Sequence, residues 1–524
     1  MTDSSRRAFL RGTAVVGLGA VAAPALSTTS AWAGASPTLV PSPATTSSPA
    51  PSQLHVQFGT DAARQANVSW ATTGSVKRPQ LRLGTAHGGY GDVVQAETRT
   101  YVDSINSVET YTQHAHIGGL FPDTEYVFEV THQGAAAPVT GTFRTAPTGR
   151  VPFRFTSFGD LSTPNTTWSK SSLNAATAVD QVEAFNPLFH LLNGDLSYAN
   201  VNQTNQPGCW ADYMDNVQNS AKNRAWMTAL GNHEVEAGNG ETGYNSYLAR
   251  FDLPDNGSRD YQGRWYSFRV GSAVFVSLDA NDVVFQNDGG LFYDTSTGLY
   301  ITGYSNGAQV RWLRNTLAAA RRDRGVDWII VFYHQPGVSS SSSGNGCDGG
   351  VREQFMPLFD EYGVDLVLTG HDHDYERSFP VRGTDAGTFL RPTVVSTDLK
   401  TADTSKGTVH LVLGGGGTSS HDDVYTLSEP SEVPVAQVYT KPSTTYKAVA
   451  DSSELATWSA VRDPDTTHPW GIAVFDLDPG RFPGDQTTIT MSYYHTPAAT
   501  AASPDPAPVR LDGFTATRRR SDRF

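Results

Sequence analysis

From Phe153 onward the chain repeats one pattern, a short apolar run followed by a tight polar cluster. Apolar runs lie at residues 153–158, 188–192, 273–278, 328–333, 364–369 and 410–413, with helical segments between them. Buried strands that alternate with helices specify an α/β domain. One of those helices, at residues 309–321, sets Val310, Leu313 and Leu317 at helical spacing with Trp312 adjoining and arginines on the opposite face, so it reads as scaffold. The polar clusters are Gly159-Asp160-Leu161-Ser162, Gly194-Asp195-Leu196-Ser197-Tyr198, Gly231-Asn232-His233-Glu234, His334-Gln335-Pro336 and Gly370-His371-Asp372-His373. Each follows an apolar strand, and the carboxyl ends of strands are where α/β sheets build their sites.

Taken singly, a Gly-Asp pair after a strand is a turn, and a lone buried histidine is a satisfied core group. Together the clusters supply Asp160, Asp195, Tyr198, Asn232, His334, His371 and His373. These are the oxygen and nitrogen donors that two borderline-to-hard cations require. The formal net charge of −14 leaves no basic surface for a nucleic-acid backbone. A phosphate-bearing substrate would therefore be attracted locally, and a pair of metal ions would provide that field.

At 524 residues the chain is long enough for two or more domains. It opens with Ser5-Arg6-Arg7-Ala8-Phe9-Leu10-Arg11, a small apolar run, and Ala31-Trp32-Ala33. This reads as a twin-arginine export leader over residues 1–33, its apolar core being short of the roughly 20 residues that a membrane anchor needs. Residues 34–52 are rich in Pro, Ser and Thr and read as a flexible linker. Short alternating strands over residues 53–147 predict a β-sandwich. Within it, Gly119-Leu120-Phe121-Pro122-Asp123-Thr124-Glu125-Tyr126 resembles the tyrosine corner of fibronectin type III domains. The α/β domain is expected over residues 150–497 and a tail over 498–524, with an edge strand at 511–517 and disorder from Arg518 to Phe524. Cys209 and Cys347, the only cysteines, either form one bridge or stand as two thiols.

In order and composition the five clusters, which read GDLS, GDLSY, GNHE, YHQP and GHDHDYERS, resemble the calcineurin-like metallophosphoesterases and, more narrowly, the purple acid phosphatases. The resemblance covers most of residues 53–479. It implies a β-sandwich N-terminal domain plus an α/β metallophosphoesterase domain of the four-layer αββα type. The wider superfamily places Asp-x-His in the first cluster, where this chain has Ser162, and the purple acid phosphatases place a tyrosine after the second Asp, as Tyr198 stands here. A phenolate is a hard anionic ligand and favours ferric iron.

Carried over residue by residue, the resemblance implies Fe(III) on Asp160, Tyr198 and His373, a divalent ion (Zn, Fe or Mn) on Asn232, His334 and His371, and Asp195 bridging both. His233 would stand at the phosphate, and Glu234 would either orient His233 or cap the local turn. The implied reaction is secreted acid phosphatase chemistry, hydrolysis of small phosphomonoesters by a metal-bound hydroxide, with phosphodiester hydrolysis at the same metals as the alternative. The plant-type pattern has further histidines after His334, whereas residues 338–346 here are Ser/Gly-rich, which leaves the general acid open. Asp372 and Asp374 read as solvated turn residues.

Overall fold

The computed structural model describes residues 48–285, 293–294, 299–300, 303–341, 346–385, 390–419, 432–440, 447–462, 470–500, 502–503 and 506–522. The export leader and residues 34–47 of the expected linker lie outside the described residues. Among the described residues no helix is long and apolar enough to cross a membrane.

Two sheets face each other in the larger part of the molecule. One aligns Phe153–Phe158, Phe189–Leu192 and Ala225–Thr228 in parallel; the other aligns Ala273–Ser277, Trp328–Phe332, Leu366–Thr369 and Val409–Leu413 in parallel. Both faces of the central strands are covered, which is why they read in sequence as continuous apolar runs. Along Trp328–Phe332 the partition is strict: Trp328, Ile330 and Phe332 join the core between the sheets, while Ile329 and Val331 join the core beneath the outer helices. Ala308–Arg322 covers that outer face with Leu313, Leu317 and Ala320, as its spacing predicts. Asn174–Phe185 and Gln206–Ala221 cover the other sheet with Val179, Val182, Trp210 and Met214. Helices outside and two sheets within give the αββα order.

A β-sandwich precedes this domain, with its own core of Leu54, Val56, Trp70, Leu81, Phe128 and Phe143. The Tyr126 hydroxyl accepts a hydrogen bond from the Phe121 amide at 2.9 Å and so ties the crossover loop. The sandwich is not hung on a free linker. Its first strand, Ser52–Phe58, pairs parallel with Ala225–Thr228 at Val56 and Ala225, so a single sheet of eleven strands runs through both parts.

Three sandwich histidines reinforce that seam on residues 249–252: His114 Nε2 meets the Ala249 carbonyl at 3.0 Å, His55 Nε2 the Arg250 carbonyl at 2.9 Å, and His116 Nδ1 an Asp252 carboxylate oxygen at 3.0 Å. Burial, with the Arg99 charge adding to it, pushes the His114 imidazole down to about 3. The unfolded chain, with a histidine near 6.5, therefore binds one proton more between those values, and stability is lost as pH falls from about 6.5 toward 3. His114→Gln removes this titration. The stability advantage of wild type over that variant is expected to shrink by about 1.4 kcal/mol per pH unit in denaturant melts below pH 6.5. Parallel losses in the two proteins would reject the assignment.

One expectation fails here, and the cysteine question left open by the sequence is answered. The C-terminal segment is not a tail with a disordered end: Val509–Arg519 lies between Gln486–His495 and Thr401–Asp403 and is held on both sides. Arg518 then pairs with the buried Asp365, Arg520 with Asp522 at 2.6 Å, and the Ser521 amide donates to Asp327 at 2.7 Å. Residues 523 and 524 lie outside the described residues. The cysteines are two buried, separate thiols. Cys209 donates to the Ser197 carbonyl and Cys347 to that of Ser339, and burial pushes each up to about 12.

Candidate metal centre

The five clusters meet because the strands that carry them end together. Leu192 stands beside both Phe158 and Thr228, and Phe332 beside Leu368, so five strand ends reach one rim. Across that rim the Gly159 amide donates to Leu413 at 2.7 Å and the Gly416 amide to Gly159 at 2.9 Å, which joins the two sheets at the site.

The backbone here is held in conformations that ordinary residues avoid. Asp160, Asp195, Tyr198 and His371 have φ of 62°, 50°, 58° and 73°, the left-handed region that persists in non-glycine residues only when the surroundings impose it. Two glycines leave room for the carboxylates. A Cβ on Gly231 would lie 2.2 Å from Asp195 Oδ1, and one on Gly370 would lie 2.4 Å from Asp160 Oδ2.

All seven sequence-predicted ligands are buried and converge. Their ligand atoms form two groups, Asp160 with Asp195 and His373, and Asp195 with His334 and His371, each within 4.8 Å. Tyr198 joins the first, its hydroxyl donating to Asp160 Oδ1 at 3.1 Å and lying 3.0 Å from His373 Nε2. Asn232 joins the second, its Oδ1 being 3.0 Å from His334 Nε2 and 2.9 Å from His371 Nδ1. Asp195 alone belongs to both. His334 presents Nε2 to the centre because its Nδ1 is 2.8 Å from the Asn193 carbonyl, which can only accept.

Burial pushes the Tyr198 hydroxyl well above the usual phenol range, and the Asp160 and Asp195 charges push it further. Burial likewise raises Asp160, although His334 and His373 oppose the rise. For Asp195 burial works upward, but the surrounding imidazoles, His334 first, outweigh it and hold the carboxyl below its ordinary value. Anionic donors packed together in a dry rim fit two cations, which would compensate the buried charge.

His233 stands outside both groups. Its Nε2 is 3.8 Å from Asp195 Oδ2, its Nδ1 is 2.7 Å from Asn200 Oδ1, and its ring lies 4.4 Å from that of Tyr198. Burial pushes the imidazole down to about 4. Glu234 does not orient it: its carboxylate accepts from the amides of Asp195 at 2.9 Å, Leu196 at 2.8 Å and Gly231 at 2.7 Å, so it fastens the Asp195 turn to its own.

Asp372 and Asp374 are buried, against the expectation of solvated turn residues. Asp372 accepts from the Ser339 hydroxyl and, at 3.1 Å, from the Gly346 amide. Glu376 accepts from Ser339 at 2.8 Å and from the Ser340 amide at 2.7 Å. Ser339 and Ser340 are thereby held against the strand that follows the His-x-His cluster. Sequence reading gave no role to Asn193 and Asn200, which border the quoted clusters, or to Glu376, which lies within GHDHDYERS; polar character close to a ligand was the available signal.

The family model for the purple acid phosphatase N-terminal domain matches residues 51–145, and that for the calcineurin-like phosphoesterases matches residues 153–375. An uncharacterised protein of Mycobacterium tuberculosis is 44% identical over 483 residues, 89% of this chain and 87% of that one. Probable purple acid phosphatase 20 of Arabidopsis thaliana is 30% identical over 335 residues, 62% of this chain and 69% of that one. The structure of purple acid phosphatase PPD1 from yellow lupin (Lupinus luteus) seeds shares the fold with a TM-score of 0.63 at 20% identity, over 90% of this chain and 75% of that one. A likeness that spans both the sandwich and the two-sheet domain places this chain in the purple acid phosphatase family, as a hydrolase of phosphate esters built around a dinuclear metal centre.

Proposed function

We propose that this chain is an exported phosphatase that hydrolyses small phosphomonoesters, with Fe(III) on Asp160, Tyr198 and His373 and a divalent ion, Zn, Fe or Mn, on Asn232, His334 and His371. The carrying observation is the pair of buried donor groups that share Asp195. When bound, two such cations acidify a water and offset charge on the attacking and leaving oxygens. The chain's own side chains do the rest. Glu234 holds the Asp195 turn from behind, the Asn193 carbonyl fixes which His334 nitrogen faces the centre, and Asn200 fixes the His233 ring at the rim. From there His233 meets the phosphoryl group. Export is supported by the twin-arginine sequence at Arg6 and Arg7 and the Ala31-Trp32-Ala33 cleavage pattern.

Metal analysis of the purified protein together with assays on a monoester and a diester of one chromogenic alcohol tests the reading. Two metal ions per chain, one of them iron, and faster turnover of the monoester are expected. Faster turnover of the diester would transfer the assignment to phosphodiester hydrolysis, and fewer than two ions in active protein would overturn the dinuclear reading.

A further inference from the structure

The strands Glu97–Asp103 and Val108–Ile117 of the sandwich are joined by a turn that reaches out of that domain onto two loops beside the metal centre. On one loop, Asn106 Nδ2 donates to the carbonyls of Gln203 and Thr204, each at 3.0 Å, and its Oδ1 accepts from the Gln206 amide at 3.0 Å. On the other, Ser104 Oγ donates to the Gly238 carbonyl at 2.7 Å. Asp103 is fully buried and serves both. Its Oδ1 accepts from the Ile105 and Asn106 amides at 3.0 and 2.8 Å and shapes the turn, while its Oδ2 accepts from Asn239 Nδ2 at 3.2 Å. With the Gln206 amide oriented to satisfy its neighbours, its nitrogen donates to the same Oδ2 at 2.7 Å.

These two loops carry the two halves of one contact. Asn200 lies in the single turn Ala199–Val201 just before Gln203, His233 lies in the single turn Asn232–Glu234 before Gly238, and the two side chains meet at 2.7 Å. Single turns have few bonds of their own, so bonds from outside decide where their side chains point.

We infer that the turn at residues 103–106 is a positioning element of the active site: the sandwich sets the aim of the His233 ring by holding the Asn200 and His233 loops in register. The inference rests on the phosphoesterase reading and assigns the N-terminal domain a part in turnover. An error on the order of an ångström in such a group costs up to about 100-fold in rate.

The test is a double-mutant cycle in the full chain with both metals bound. His233→Ala is expected to lower kcat by about 100-fold or more. Asn106→Ala is expected to lower kcat about tenfold, with KM and metal content unchanged, and to cost nothing further in the His233→Ala background. The same pattern is expected of Asp103→Asn, a second variant of the same shape. Equal fold-losses in both backgrounds, or a wild-type kcat in both single variants, would overturn the inference. A readout independent of turnover is the His233 ring resonance in metal-free protein labelled with 15N-histidine. It is expected to shift in Asn106→Ala while that of His334, fixed by Asn193, stays in place, and an unmoved His233 signal also overturns the inference. A wild type with two metals and no esterase activity would instead reject the proposed function, leaving the resonance to decide the positioning.

Discussion

Asp195→Asn is expected to abolish turnover and to bring the metal content below two ions per chain. The local hydrogen bonds decide where the new amide nitrogen goes. Asp195 Oδ1 accepts from the His233 backbone amide at 2.8 Å, and an NH2 group placed there would meet another donor. The side-chain oxygen of the substituted residue would therefore keep that place and turn the NH2 toward His334, where Asp195 Oδ2 now lies 3.0 Å from Nε2. The oxygen facing the centre is thus replaced by a group without a lone pair for a cation. Since Asp195 alone enters both donor groups, one substitution removes a ligand from each. Glu234 still grips the backbone at positions 195 and 196, so the turn itself persists and the fold should survive. Two full metal equivalents in the purified variant, by elemental analysis, would reject the bridging role.

What could be read in the sequence follows from which interactions are local. Strands buried on both faces leave continuous apolar runs, and two of the glycines that open the clusters, Gly231 and Gly370, are required by carboxylates only 2.2–2.4 Å from where a side chain would begin. The strand ends, the ligand-bearing turns and the Tyr126 tie were therefore legible. Contacts between distant segments were not. Asp372 looks solvated in a string of polar letters because nothing local reveals that Ser339 folds onto it. The last strand ends in Arg518, Arg519 and Arg520, a charged run that resembles a frayed terminus until Asp365 and Asp522 are brought beside it. The junction of the sandwich with the catalytic sheet rests on a parallel pairing of Val56 with Ala225, which no pattern along the chain announces. Glu234 lies beside His233 in sequence, yet it bonds the backbone of a turn some forty residues earlier rather than its neighbour's ring.

Tyr198→Phe should bleach the protein while leaving it folded. Phenolate bound to ferric iron gives a ligand-to-metal charge-transfer band in the visible range, so the wild type should be coloured as isolated. The ring of Tyr198 is fully buried and packs 4.4 Å from that of His233, and phenylalanine retains this packing. What is lost is the hydroxyl, with its bonds to Asp160 and His373, a cost on the order of 1 kcal/mol per bond. In the metal-free protein, burial and the neighbouring carboxylates hold this phenol far above its usual range, so a phenolate here requires a strongly charged cation to displace the proton. Ferric iron is the cation that a hard anionic oxygen favours, and the iron content of Tyr198→Phe should therefore fall along with its colour. Colour must go before fold does. A colourless wild type that is fully active with two zinc or manganese ions would remove iron from the proposal and leave the dinuclear esterase standing. An unaltered band in Tyr198→Phe would make Tyr198 a packing residue and require the phenolate to come from another tyrosine.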